Sequence, residues 1–324
     1  MSERNYSIGL DLARVLAVYL VIVFHGLEQF VGLQDNYAGR FMLATSICCV
    51  DLFGLISGWL GVTSTAFKPL KIVKLWIQVV FTGGVITLLW SGCGLVTLKD
   101  VGKALIPITA HEYWYFTAYV PLFFLMPILN AGFRVISRNV IGSVCGALFF
   151  LVVVLPYFNP YKSDTYVLGG GYSPIWLLLL YLFGASLRIL IGGDSLHRRF
   201  WLYGSLMLAL VSSCLSMFVR IGYCAPTVLM TAVGILLACA NVKWRGVRLR
   251  FFSSCAFGVY LWHVHPLMFE HLHGVFAFVC ELPVWLYVTT ILVGALCVYL
   301  VACGLEAVRV VIFNFAWRVL KHDC

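Results

Sequence analysis

The chain has 324 residues, 62% of them hydrophobic and 11% charged, with a net charge of +9 and a mean hydropathy of +0.98. A soluble domain carries about 25% charged residues, so this composition excludes an ordinary soluble enzyme and points to an all-α, polytopic membrane protein. Ten apolar stretches of spanning length follow in order, near residues 12–31, 41–62, 72–91, 113–131, 140–157, 174–191, 200–219, 224–241, 253–271 and 284–305. The first has no small-residue cleavage pattern after it and is expected to remain as a span rather than leave as a signal peptide. The connections are short, and the longest, 92–112 and 158–173, are too small to form separate domains. A single transmembrane domain over 1–324 is the expectation.

Basic residues set the orientation. With ten spans, both termini share a side with the connections near 64–74, 132–139, 188–199 and 242–250, and that side collects 17 of the 22 Lys and Arg residues. Both termini are therefore expected in the cytoplasm, in a multi-pass protein of the inner, cytoplasmic membrane. The net charge reads as this signal and as attraction to the inner leaflet and its lipids, not as a nucleic-acid surface. It also suits a polyanionic cytosolic ligand. The twelve cysteines form no CxxC pair and no metal spacing. Cys93, Cys224 and Cys280 fall toward the outer face, where a disulfide between two of them stays open.

The first span, "GLDLARVLAVYLVIVFHGLEQF", carries its charges on one stripe. Eleven residues separate Arg14 from His25, or three turns to within about 20°. Asp11 lies one turn below Arg14. The rise puts Arg14 and His25 about 16 Å apart, roughly half a bilayer core. Ionisable groups at such depth are costly and mark function by default. Asp51 in the second span and His263 in the ninth fall in the same layer as His25. The fourth span opens with His111, Glu112, Tyr113 and Trp114 at the outer face, and His265, Glu270, His271 and His273 also lie outward. Imidazoles move protons near neutral pH. Aromatic rings beside them suit a sugar, whose C–H faces pack on Trp or Tyr.

Each of these residues also has a plainer reading. Arg14 snorkels to the inner interface. His25 and Asp51 make interhelical hydrogen bonds. Tyr113, Trp114 and Tyr115 join an interfacial aromatic belt. His263 and His265, at i and i+2, point about 160° apart on a helix and do not chelate one ion, so no metal site is expected. The glycines around "SGWLGV" favour close helix packing without chemistry.

At these residues the chain resembles the integral-membrane acyltransferases of the acyltransferase type 3 family. The opening pattern stands as Arg4, then Leu10-Asp11-Leu12-Ala13-Arg14, then His25. The second-span pattern stands as Val50-Asp51-Leu52-Phe53 with Ser57-Gly58-Trp59-Leu60. Polysaccharide-modifying members carry a segment matched by Tyr113-Trp114-Tyr115 through Tyr119, then Pro127-Ile128-Leu129-Asn130. The late motif is matched by Gly258-Val259-Tyr260-Leu261-Trp262-His263, with His265 inserted and Pro266 one place later than usual. No part resembles the soluble esterase-like domain of some members.

The resemblance implies transfer of an acyl group, commonly acetyl from acetyl-CoA, to a hydroxyl of an extracytoplasmic or lipid-linked glycan. The acyl-CoA is then a donor substrate and no tightly bound cofactor is needed. Asp11, Arg14, Lys68, Lys71, Arg248 and Arg250 are the candidates for holding the donor, its phosphates above all. His25 is the candidate general base, or a transient acyl carrier. Asp51 or Glu112 would orient an imidazole, and His263 is a second acid/base. His111, Tyr113, Trp114 and Tyr119 are the acceptor-side candidates. The rivals are a proton-coupled permease, the membrane-domain type found in membrane-bound serine racemases, and a scaffold for glycan export. Whether the protein is a homo-oligomer does not follow from the sequence.

Overall fold

The computed structural model describes residues 7–28, 36–64, 66–108, 110, 112–159, 164–192, 199–244, 249–269, 279 and 282–322. Among these residues there are helices and turns and no strand. In chain order the helices are α1 (Ile8–Glu28), α2 (Tyr37–Ser46), α3 (Cys49–Gly61), α4 (Leu70–Ser91), α5 (Leu98–Leu105) and α6 (Trp114–Val135). α7 (Arg138–Leu148) runs through a π-helical stretch, Phe149–Val154, into α8 (Leu155–Tyr157). Then come α9 (Pro174–Leu190), α10 (Arg199–Ser216), α11 (Pro226–Ala240), α12 (Arg250–Val264) and α13 (Val284–His322). His111, Arg248 and Cys280 lie outside the described residues.

Over the described residues, each predicted apolar stretch falls mainly on helix. Seven stretches are long and apolar enough to cross a membrane, which makes this a multi-pass membrane protein. α9 and α11 are apolar but shorter, at 17 and 15 residues. Helix length therefore supports at least the seven, and the figure of ten is not fixed by it. Three boundaries differ from the sequence reading. The second stretch breaks at Ile47–Cys48 into α2 and α3, where Ser46 Oγ and Cys48 Sγ donate back to the carbonyls of Leu43 and Thr45. The ninth breaks at His265, because the residue before Pro266 is pushed out of the helical region, to ψ 132°, and helix resumes over 266–269. The last continues for 39 residues, about 58 Å of helix, so it outruns a bilayer core.

α1 is the centre of the bundle. Ala13, Ala17 and Val18 are fully buried, and two cores meet on it. Leu10, Ala13, Ala17, Val21 and Phe24 pack with α3, α9 and α11. Val18, Ile22, Val23 and Leu27 pack with α12 and α13. A helix apolar on nearly every side is one that other helices surround. Its one polar stripe must then face whatever gap the packing leaves.

α3 and α9 approach until backbones touch. A Cβ at Gly58 would lie 2.0 Å from the Tyr181 carbonyl oxygen, and one at Gly184 would lie 2.1 Å from that of Leu55. Small residues at such a crossing replace side-chain spacing with backbone contact. This contact brings Asp51 of α3 against Trp176 of α9. Cys93 and Cys224, two of the three thiols for which a disulfide stayed open, are free.

Candidate active site

The polar stripe of α1 begins at Asp11. Its Oδ1 accepts from Ser253 Oγ of α12 at 2.6 Å and from Arg14 Nη1 at 3.2 Å. Arg14 also reaches Ser253 Oγ at 3.5 Å. The buried carboxylate thus fixes the arginine from one side, and the rest of its donor fork is left toward a cavity. The guanidinium side chain keeps 38% of its exposure, which a merely structural ion pair in apolar surroundings would not need.

Three turns along, His25 Nδ1 lies 3.4 Å from His263 Nε2 of α12. The protons of this pair follow from its far end. His263 Nδ1 is 2.6 Å from the Val259 carbonyl oxygen, which only accepts, so that nitrogen carries the hydrogen. In a neutral ring His263 Nε2 is then a lone pair, and His25 Nδ1 must donate to it. His25 Nε2 is left as a lone pair. An imidazole oriented by a second group, with its other nitrogen bare, is the arrangement of a general base. When His25 takes a proton, its Nδ1–H keeps its acceptor, so the imidazolium is held in place.

Both His25 and Arg14 line one cavity of about 1970 Å³. Asp11, Lys68, Lys71, Lys243, Arg134, Arg188 and Arg250 line it too, and so do the connecting segments around Ser64–Lys68 and Val242–Trp244. One end of the cavity is therefore strongly basic. Trp114, Tyr115, Tyr119, Tyr223 and Tyr260 form aromatic wall elsewhere in it. Trp114 packs edge-on against Tyr172 at 4.8 Å between ring centres, and Tyr172 against Tyr223 at 5.2 Å. The cavity joins cationic groups to the His25 imidazole within an apolar bundle.

The remaining described candidates, Asp51, Glu112, Tyr113 and His263, fall outside this lining. Asp51 is fully buried; its Oδ1 accepts from Trp176 Nε1 at 2.9 Å, and Oδ2 has no partner among the described residues. Glu112 Oε1 stands 3.6 Å from Lys103 Nζ, and burial holds its carboxyl above the usual range against the pull of that lysine. The group at hydrogen-bond distance of His25 is His263, while Asp51 and Glu112, expected to orient an imidazole, meet Trp176 and Lys103. Tyr113 is buried away from the cavity, with its hydroxyl donating to the Leu261 carbonyl at 3.2 Å. His263 and His265 face different partners, since His265 Nδ1 accepts from the Leu267 amide at 3.2 Å.

Sequence reasoning gave Ser253 no role, named Tyr260 only within the late motif, and took Arg134, Arg188 and Lys243 only as topology signals. A signal for the first two was present. Arg250, Ser253, Phe257 and Tyr260 recur at i, i+3, i+7 and i+10 on α12, and all four line the cavity.

A family model described as an acyltransferase domain matches residues 7–304 of the chain. Comparison with curated proteins and with solved structures gave no match.

Proposed function

The chain belongs to the acyltransferase type 3 family, and from that premise we propose that it moves an acetyl group from cytosolic acetyl-CoA to a hydroxyl of a cell-surface or lipid-linked glycan. The observation that carries the reading is the single cavity lined by seven cationic side chains and by His25. The phosphates of an acyl-CoA match the cations, Lys68, Lys71 and Arg250 foremost, with Arg14 further along the path to His25. The donor's thioester arm then follows the α1 stripe from Arg14 to His25, about 16 Å by helical rise. Trp114, Tyr115 and Tyr119 offer ring faces to the acceptor sugar. In this reading the basic end faces the cytoplasm of a cell with its protein in the inner membrane, the chain crosses ten times, and both termini are cytoplasmic.

The chemistry closes on His25. The acceptor hydroxyl oxygen attacks the thioester carbonyl carbon, forming the C–O bond, while His25 Nε2 takes the hydroxyl proton. The tetrahedral intermediate then breaks its C–S bond, and the leaving thiolate takes the proton back from His25. Products are the O-acetyl ester and free CoA thiol, with His25 restored. His263 holds the ring and the tautomer, and it receives no proton in either step.

Purified protein in lipid vesicles, given acetyl-CoA labelled in the acetyl group and a glycan extract from the same cells, tests the reading. The expected result is ester-linked label on the glycan and free CoA, both lost in His25→Ala. Uptake of a solute with no thioester turnover would support the permease instead.

A further inference from the structure

We infer that Arg188 takes a phosphate of the donor's nucleotide end in a two-pronged hydrogen bond, with the Trp59 ring as its rest. The inference rests on the acyl-transfer reading and gives one residue of the cavity wall a defined chemical partner.

Seven cationic side chains line the cavity, and five of them, Lys68, Lys71, Arg134, Lys243 and Arg250, are exposed. Arg14 and Arg188 are the two that are partly buried. Arg14 is held by Asp11 and Ser253. The Arg188 guanidinium has no hydrogen-bond acceptor and no carboxylate among the described residues; its one contact there is an aromatic face. Asp11 is the acidic residue of the lining, and it is already paired with Arg14. None of the Arg188 nitrogens is shut off from solvent, in contrast to Asp51 Oδ2 and Tyr260 Oη, which the packing seals. A cation drawn partly out of water without a counter-ion is costly. An anion that enters the cavity supplies what the protein leaves out.

An arginine in the last turn of a helix ordinarily answers the helix carbonyls or snorkels to a headgroup layer. On α9 other groups meet those carbonyls. The Ile191 amide donates to Leu187 at 2.9 Å, the Gly192 amide to Arg188 at 3.0 Å, and Arg138 Nη2 to Leu190 at 2.7 Å. The Arg188 side chain lies along the cavity wall instead, with Cζ 5.4 Å from the centre of the Trp59 ring. Trp59, in the last turn of α3, is 2% exposed and fixed by its packing. The chain then folds back over the arginine stem, so closely that a Cβ at Gly192 would lie 2.9 Å from Arg188 Cδ. A guanidinium resting on a ring keeps its N–H groups free at its edge. Two parallel N–H donors match two oxygens of one phosphate. Stem and head are held beforehand, so little freedom is lost on binding. A phosphate could come from the donor or from an inner-leaflet lipid; the donor is favoured because the same cavity reaches His25.

The experiment measures thiol release from acetyl-CoA, with the glycan extract as acceptor, by wild type, Arg188→Ala and Arg188→Lys in phosphatidylcholine vesicles. Two fragments of the donor then serve as inhibitors. Adenosine 3′,5′-bisphosphate carries phosphates without the thiol arm, and pantetheine carries the arm without phosphate. The expected result for Arg188→Ala is a rise of about 20-fold in KM for acetyl-CoA and in Ki for the bisphosphate, with kcat and the pantetheine Ki within about two-fold. Arg188→Lys keeps the charge without the fork and should still raise KM and the bisphosphate Ki about five-fold; it carries the same test should the Ala variant not fold. An unchanged KM overturns the assignment. So do equal rises in both Ki values, because the side chain would then shape the cavity without meeting a phosphate. A defect that appears only after phosphatidylglycerol is added gives the phosphate to a lipid and overturns it too. Each of these outcomes leaves the acyl-transfer reading standing. Wild type that releases no thiol at all brings down that reading, and this assignment with it.

Discussion

On α13, Glu306 and Arg309 meet one turn apart, with Arg309 Nε donating to Glu306 Oε2 at 2.9 Å, and Gln78 of α4 donates to the other oxygen at 3.0 Å. Arg309 also lies over the Phe313 ring at 5.1 Å. Both carboxylate oxygens are taken, and α12 packs so closely there that a Cβ on Gly258 would lie 2.3 Å from Glu306 Oε2. The Asp11–Arg14 pair on α1 also joins a carboxylate to an arginine at i and i+3, yet Arg14, and His25 beyond it, line a cavity. Buried charge is expensive in both places. What separates them is where the valences end: the α13 node is closed within the protein, and the α1 stripe keeps valences for something that enters.

If that distinction holds, substitutions in the two regions fail in different currencies. His25→Ala is expected to lower transfer about 1,000-fold, equivalent to about 4 kcal/mol of transition-state stabilisation, with a smaller loss of stability than at the α13 node because only the His263 Nε2 acceptor is left unmade. Thiol release and a thermal melt on the same preparation check both halves. Glu306→Ala reverses the pattern. It strands Arg309 and Gln78 and should cost about 3 kcal/mol of stability, while folded protein keeps its kcat within about two-fold. A loss of kcat in Glu306→Ala without a loss of stability would join the two regions into one device.

Smaller changes refine the picture. Asp51 was read beside His25 by depth, but it belongs with the closed groups, held by Trp176. Trp176→Phe should lower stability by about 2 kcal/mol by leaving a buried acceptor unmade, with turnover per folded molecule intact, as read from melting and kcat together. At the basic end, replacing Lys68 and Lys71 with Ala should raise KM for acetyl-CoA about ten-fold and flatten its dependence on salt, because exposed charges act through a screened field. Titrating KM from low to high ionic strength in the double variant and wild type checks this.

The helices were legible because apolar runs of spanning length leave few alternatives. The α1 stripe was legible for a similar reason: its spacing puts Asp11, Arg14 and His25 on one side whatever surrounds the helix. Depth was less informative than facing. Asp51 and His263 were both expected in one layer with His25, yet of the two only His263 lies at hydrogen-bond distance from it, since the α3–α9 glycine contact brings Asp51 to Trp176. No periodicity within α3 states which neighbour it will meet. The break at His265 follows from Pro266 and was readable as a boundary. The bond from His263 Nδ1 to Val259 is local, at i−4, but its consequence for His25 appears only when α1 and α12 lie side by side.

The central claim is that a thioester reaches His25 through the cavity from its basic end. A structure of the protein with a non-transferable thioether analogue of acetyl-CoA tests it most directly. The account predicts the analogue's phosphates among Lys68, Lys71 and Arg250, its sulfur past Arg14, and its reactive end within about 4 Å of His25 Nε2. An analogue seated outside the cavity, or one whose sulfur stops at the basic end with His25 out of reach, would contradict it.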